Sequence, residues 1–219
     1  MFIFWGRPNS ISDLQSAVKP FESSMRSMVN IAIIDDEDFP YLDLLQTHDF
    51  HIRKIPDVSD IKALNTYDII FCDVRGVGRE LSKKFEGAYL IKEIRKAYPN
   101  KVVYAYTGQS YDASFSKYFD YADQVIKKDI SSEEWVETLD RAVEIALNPV
   151  IQWRRLRKRL LRDNVELKAI VYLEDEFVQS FLAKANKFPS KRSLSFLNDD
   201  ARSVLQSFVA SALFKLFIG

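Results

Sequence analysis

The sequence predicts a doubly wound α/β domain on a five-stranded parallel sheet, followed by a helical extension. Three observations carry this. Short apolar runs recur along the front of the chain, and each stops at a polar or charged residue. Stretches of helical spacing separate them, so strand alternates with helix, as in βαβ units. The charge balance then reverses: residues 1–148 hold 18 Lys/Arg against 24 Asp/Glu, and residues 149–219 hold 13 against 7. Asn148-Pro149 falls at the reversal, and proline is a poor continuation of a preceding helix. The expected organisation is an N-terminal arm over 1–28, the α/β domain over 29–148 and a helical module over 149–219.

The elements follow in order. Residues 29–34 form an apolar run that stops at Asp35-Asp36-Glu37-Asp38, as expected of a strand buried on both faces. Phe39, Leu42, Leu45 and Gln46 then have helical spacing. Residues 50–55 read as a second strand, and 59–64 as a short helix capped by Ser59. Residues 68–72 are a third buried strand, ending at Asp73. Leu90, Ile91, Ile94 and Ala97 share one side of a helix over 88–97, which Tyr98-Pro99-Asn100 ends. Residues 101–106 are the fourth strand, closed by Thr107-Gly108. A weakly patterned helix is expected over 111–118 and a fifth strand over 124–126, ending at Lys127-Lys128. Ser131-Ser132-Glu133-Glu134 is a capping-box arrangement opening a helix that turns Trp135, Leu139, Val143 and Leu147 inward.

Composition narrows the function. The 219 residues suit one large domain, or one ordinary domain with an appendage, and 31 basic groups balance 31 acidic ones. No global field commits the chain to nucleic acid or to an anionic membrane. Its single cysteine, Cys72, excludes an internal disulfide framework and a four-thiolate zinc site; it reads as an inert core thiol. Two histidines, His48 and His51, are too few for a multi-histidine metal centre and read as surface residues. The apolar start lacks the basic region of a secretory signal, and the run 204–218 is shorter than the roughly 20 residues that span a bilayer. An intracellular, cytoplasmic protein without a membrane segment is expected.

In open α/β sheets ligands bind beyond the carboxyl ends of the strands. Those ends carry Asp35 and Asp36, then Asp73, then Thr107, then Lys128. At 4 Å and an effective dielectric of 20, each like-charge pair among the acids costs about 4 kcal/mol. A hard divalent cation offsets this, and Mg²⁺ prefers a few carboxylates plus waters and phosphate oxygens. A carboxylate is also a nucleophile towards phosphorus; a lysine can neutralise the phosphoryl group and a threonine can hydrogen-bond to it.

Four motifs in this order resemble the response-regulator receiver domain of two-component signalling, over about residues 29–147. Ile33-Ile34-Asp35-Asp36-Glu37 is similar to the family's acid pair, and Asp68-Ile69-Ile70-Phe71-Cys72-Asp73-Val74 to its phosphoacceptor strand. Val102 to Gly108 is similar to the switch-threonine strand, and Ala122 to Lys128 to the last strand with its lysine. The resemblance implies a flavodoxin-like receiver fold and a phosphoprotein, not an enzyme, that assists its own phosphorylation and dephosphorylation. It implies that Asp73 accepts a phosphoryl group from a histidine kinase or phosphotransfer protein. Asp36 and Asp73 would then ligate Mg²⁺ directly, Asp35 mostly through water and Arg75 through its backbone carbonyl. Thr107 and Lys128 would move inward on phosphorylation and bias a switching face.

The chain also departs from the family pattern. Val125 stands where an aromatic switch residue is usual, Asp129 stands where proline is usual, and the segment 75–86 is longer than common. These motivate an alternative, a receiver-like interaction module independent of phosphorylation. A third reading is a phosphorylation-gated DNA binder using the basic stretch 153–162. There Trp153, Leu156, Leu160 and Leu161 share a face, so a packed helix with a solvated basic side is favoured over nucleic-acid contact. Further helices are expected over 165–185 and 199–217, with a break over 187–195. The tail reads as a dimerisation or partner-docking module, and Phe2 to Trp5 as an edge strand or a partner-binding segment.

Overall fold

A computed structural model describes residues 7–108, 113–185, 187–211, 214, 216 and 217. Phe2 to Trp5, and the start of the helix expected from Tyr111, lie outside the described residues. The chain divides into two compact units, one of Phe21–Ala146 and one that joins Met1–Pro20 to Leu147–Gly219.

The first unit holds five strands: β1 (Asn30–Ile34), β2 (His51–Ile55), β3 (Ile69–Asp73), β4 (Val102–Thr107) and β5 (Gln124–Lys127). They pair in parallel in the order β2-β1-β3-β4-β5, with Ile31 beside Ile69 and Asp73 beside Tyr106. The helices are α1 (Leu42–Thr47), α2 (Glu86–Ala97), α3 (Ser116–Phe119) and α4 (Ser132–Leu147).

Alternation along the strands builds two cores. On one side Ala32, Ile34, Ile70, Cys72, Val103 and Ala105 pack with Leu90, Ile91 and Ile94 of α2. On the other, the Trp135 ring of α4 lies against Phe39, Phe71 and Tyr106, at centroid distances of 5.1, 5.6 and 6.0 Å. Trp135, Leu139 and Val143 are fully buried, each side chain contributing roughly 1.5–3 kcal/mol. The capping box at the head of α4 forms: Ser131 Oγ accepts from the Glu134 N–H at 3.2 Å, and Glu134 Oε2 accepts from the Ser131 N–H at 2.8 Å.

Some expectations need correction. The helix expected over 59–64 is a single 3-10 turn, Ile61–Leu64, and its cap is Asp60, which accepts from the Lys62 N–H at 2.9 Å. Asp does this as readily as Ser. Residues 113–119 form a 3-10 turn, Ala113–Phe115, running into α3. His48 and His51 are exposed, as expected.

The second unit contains α5 (Pro149–Arg162), α6 (Leu167–Leu182), α7 (Lys191–Leu194) and α8 (Asp199–Ala210), with a 3-10 turn at Ile11–Leu14. Asn148-Pro149 is a helix start: the Asn148 side chain accepts from the N–H groups of Val150 and Ile151, and Pro149 takes the first turn, where no N–H is needed. Trp153 stacks on Phe177 at 5.0 Å and donates Nε1–H to Glu174 Oε2 at 2.7 Å. The other Glu174 oxygen accepts the Ile11 N–H at 2.9 Å, tying the segment before residue 20 to α6. Leu161, expected inward, is 46% exposed, because it sits about 100° around the helix from the buried Leu160. Within the basic stretch Arg157 faces Glu174 at 3.6 Å and Arg159 faces Asp163 at 2.9 Å, so part of its charge is used internally. The break after α6 contains α7, capped by Ser190. α8 ends at Ala210, short of the expected 217, where several positions lie outside the described residues. Among the described residues, no helix is long and apolar enough to cross a membrane.

Candidate functional site

The strand ends place Asp35, Asp73, Tyr106 and Lys128 at the carboxyl edge of the sheet. Asp35 follows β1 and Asp73 closes β3, and both are buried, 2% and 4% exposed; Asp36 is exposed. The three aspartates each present an oxygen within 4.8 Å of the others.

Lys128 bridges the two buried ones. Its Nζ lies 2.5 Å from Asp73 Oδ2, 3.2 Å from Asp35 Oδ2 and 3.5 Å from Glu37 Oε2. Its backbone N–H donates to the Thr107 carbonyl at 2.9 Å, which continues the β4–β5 pairing by one residue and fixes the base of the side chain. Burial works against the ammonium charge, but the hydrogen bonds and charges of Asp73 and Asp35 outweigh it and raise the lysine above its ordinary value. Lys128, rather than Lys127, is therefore the lysine of the site.

Asp73 sits between opposing effects. Burial raises its carboxyl above the ordinary value, while Lys128 and the Arg75 N–H, 3.1 Å from Oδ1, pull it back. Cys72 is fully buried beside it, and burial raises its thiol well above the ordinary range. Such a thiol is inert, in keeping with a core role.

The loop after β3 shapes the exposed side. Gly76 has φ of +79°, a left-handed backbone that favours glycine, and a Cβ there would fall 1.9 Å from Asp36 Oδ1, so a larger residue would also turn that carboxylate away. The Gly76 N–H donates to Glu86 Oε2 at 3.0 Å, which ties the lengthened segment to the start of α2. The Arg75 guanidinium stacks on Phe115 at 4.3 Å to the ring centroid. Thr107, 5% exposed, ends β4 at the same edge. Val125 is 38% exposed on β5.

One participant was missed in the sequence. The Tyr106 hydroxyl donates to Asp35 Oδ2 at 2.6 Å, the short distance expected for a hydroxyl on a carboxylate. Burial raises this phenol far above its ordinary value, the hydrogen bond to Asp35 adding to the effect, so it stays protonated. A signal existed: counting by twos, Tyr106 falls on the same face as Tyr104, and a buried tyrosine at a strand end needs a partner for its hydroxyl.

The donor set fits a small hard cation: all-oxygen ligands, with Asp36 exposed and Asp73 beside it. Among the described residues, Asp35, Asp36 and Asp73 are the carboxylates grouped closely enough to hold it.

Strand order decides the fold. A parallel sheet of order 2-1-3-4-5 with helices on both faces is the flavodoxin-like arrangement. The fold of residues 21–146 is flavodoxin-like. No protein-family model and no curated protein matches the chain. Similar solved structures include a CheY-like response regulator receiver domain protein from Methanospirillum hungatei JF-1, 18% identical, covering 54% of this chain and 95% of that one, TM-score 0.45. The receiver domain of NtrX from Brucella abortus is 23% identical, covering 52% and 98%, TM-score 0.44. The BeF3-activated DrrB receiver domain is 21% identical, covering 53% and 98%, TM-score 0.44.

Proposed function

We propose that the protein is a response regulator of phosphorelay signalling, whose α/β unit accepts a phosphoryl group on Asp73. The observation that carries this reading is the Lys128 ammonium 2.5 Å from Asp73 Oδ2, with Asp35 and Asp36 alongside at the sheet's carboxyl edge. An Asp73 oxygen forms a bond to phosphorus as the bond from phosphorus to the donor's histidine nitrogen breaks. The departing imidazole takes up a proton from solvent. Lys128 sets the direction of the carboxylate beforehand and faces the charge that arrives, and the Thr107 hydroxyl is the hydrogen-bond donor for a phosphoryl oxygen. Mg²⁺ held by Asp36 and Asp73, with the Arg75 carbonyl as the resemblance implies, would supply charge neutralisation during the transfer. The protein is thus a phosphoacceptor that assists its own modification, not an enzyme with a separate substrate. Its partner is a histidine kinase or phosphotransfer protein, and its helical unit serves output or homodimerisation.

Intact-mass measurement with Mg²⁺ and a small phosphodonor tests this on wild type and Asp73→Ala. The expected result is a gain of one phosphoryl group in the wild type, dependent on Mg²⁺ and absent from the variant. Equal modification of both proteins, or of neither, refutes the proposal.

A second reading, an interaction module independent of phosphorylation, draws on two features. Lys128 already balances the buried acids, and Val125 offers an exposed aliphatic side chain where a relay would need an aromatic one. Modification of neither protein favours it.

A further inference from the structure

The acid pair is divided by its surroundings. Asp35 Oδ2 accepts from the Tyr106 hydroxyl at 2.6 Å and faces Lys128 Nζ at 3.2 Å; Oδ1 accepts from the Glu37 N–H at 2.9 Å and from Lys128 at 3.3 Å. A carboxylate offers about four lone-pair sites, and three donors of the chain, the Tyr106 hydroxyl, the Glu37 N–H and the Lys128 ammonium, face the two oxygens of Asp35. Asp36, by contrast, is exposed and lies against the backbone of Gly76. Tyr106 itself is 1% exposed and its ring is held by Trp135 at 6.0 Å; its hydroxyl also reaches the Ile34 carbonyl, at 3.3 Å, but the 2.6 Å bond to Asp35 is much the shorter.

We infer that Tyr106 is a positioning residue that keeps Asp35 out of direct cation ligation, leaving the inner ligand positions to Asp36 and Asp73. This rests on the cation-dependent reading proposed above. Its consequence has an unusual sign. Removing the hydroxyl leaves a buried carboxylate short of one donor, which weakens the fold and frees an oxygen that an incoming cation can satisfy. Tyr106→Phe therefore lowers stability while raising cation affinity, whereas a purely structural defect would not tighten binding.

The experiment uses the full chain as wild type, Tyr106→Phe, Asp35→Asn and the double variant. Denaturant midpoints are recorded without metal, and Mn²⁺ affinity is measured by water-proton relaxation. With Asp35 intact, Tyr106→Phe is expected to lower the midpoint and to tighten Mn²⁺ binding by roughly three- to tenfold, the worth of one hydrogen bond. In the Asp35→Asn background both effects should largely vanish. Equal midpoint losses in the two backgrounds, or unchanged or weaker Mn²⁺ binding by Tyr106→Phe, overturn the inference. A wild type that binds no Mn²⁺ overturns it together with the cation-dependent reading. The metal-free midpoints then still show whether Tyr106 and Asp35 are coupled, so the two failures can be told apart.

Discussion

Arg26 and Asp140 meet in a two-point bridge, Nε on Oδ1 at 2.7 Å and Nη2 on Oδ2 at 2.8 Å. The same guanidinium lies 4.8 Å over the Phe50 ring and donates to the His48 carbonyl at 3.2 Å. One side chain thus joins the segment before β1, the turn after α1 and helix α4. Both partners are largely shielded from water, so the pair retains more of its energy than a surface ion pair.

Arg26→Ala is expected to cost about 1–3 kcal/mol in chemical denaturation, in line with charge-assisted hydrogen bonds. Arg26→Lys should recover only a small part, because an ammonium cannot reproduce the fork. A lysine variant as stable as wild type would show that the two-point geometry contributes nothing.

Two fully buried tryptophans invite a direct comparison. Trp153 donates its N–H to Glu174, whereas the Trp135 N–H has no hydrogen-bond partner among the described residues. Trp135→Phe removes an unsatisfied donor along with packing area; Trp153→Phe takes a donor from a buried carboxylate. Trp153→Phe is therefore expected to be the costlier by about 1–3 kcal/mol. Unfolding curves followed by circular dichroism decide it, and the reverse ranking would contradict the hydrogen-bond argument.

Gly87 supplies a third test. It lies in the first turn of α2, where a Cβ would fall 1.8 Å from the Asp73 carbonyl oxygen and 2.9 Å from Val77 Cγ2. Helix propensity alone favours alanine by about 1 kcal/mol. The close approach predicts the opposite, a loss of roughly 1–3 kcal/mol as α2 and the end of β3 are forced apart. A stabilised Gly87→Ala protein would show that α2 does not press on β3 in this way.

The sheet was legible because each central strand is an apolar run with a polar stop, and a strand buried on both faces leaves no other pattern. The gathering of Asp35, Asp73 and Lys128 at one edge was legible for the same reason, since the stops are the strand ends. What escaped was set by contacts between residues far apart in sequence. Nothing local in Ser24-Met25-Arg26 announces Asp140, and nothing in Asn9-Ser10-Ile11 announces Glu174. Tyr106 was overlooked because a tyrosine in a strand satisfies β propensity whether or not its hydroxyl has a task. Leu161 was misplaced because two adjacent leucines cannot both face one core stripe, and the choice between them depends on the helix's exact rotation.

The bond from Ile11 to Glu174 also bears on the order in which the chain is completed. Residues 7–20 are made before the α/β unit, yet the helices they join are made only after the whole of that unit has been synthesised. The sheet and its helices can close while the early segment is still without its partners, since domains generally fold as units in order of synthesis. The helical unit, in contrast, is assembled from segments on either side of the α/β unit. A shortened chain lacking residues 1–20 would keep every strand of the sheet and still leave Glu174 without the Ile11 amide, so trimming the front of this protein is felt at the back.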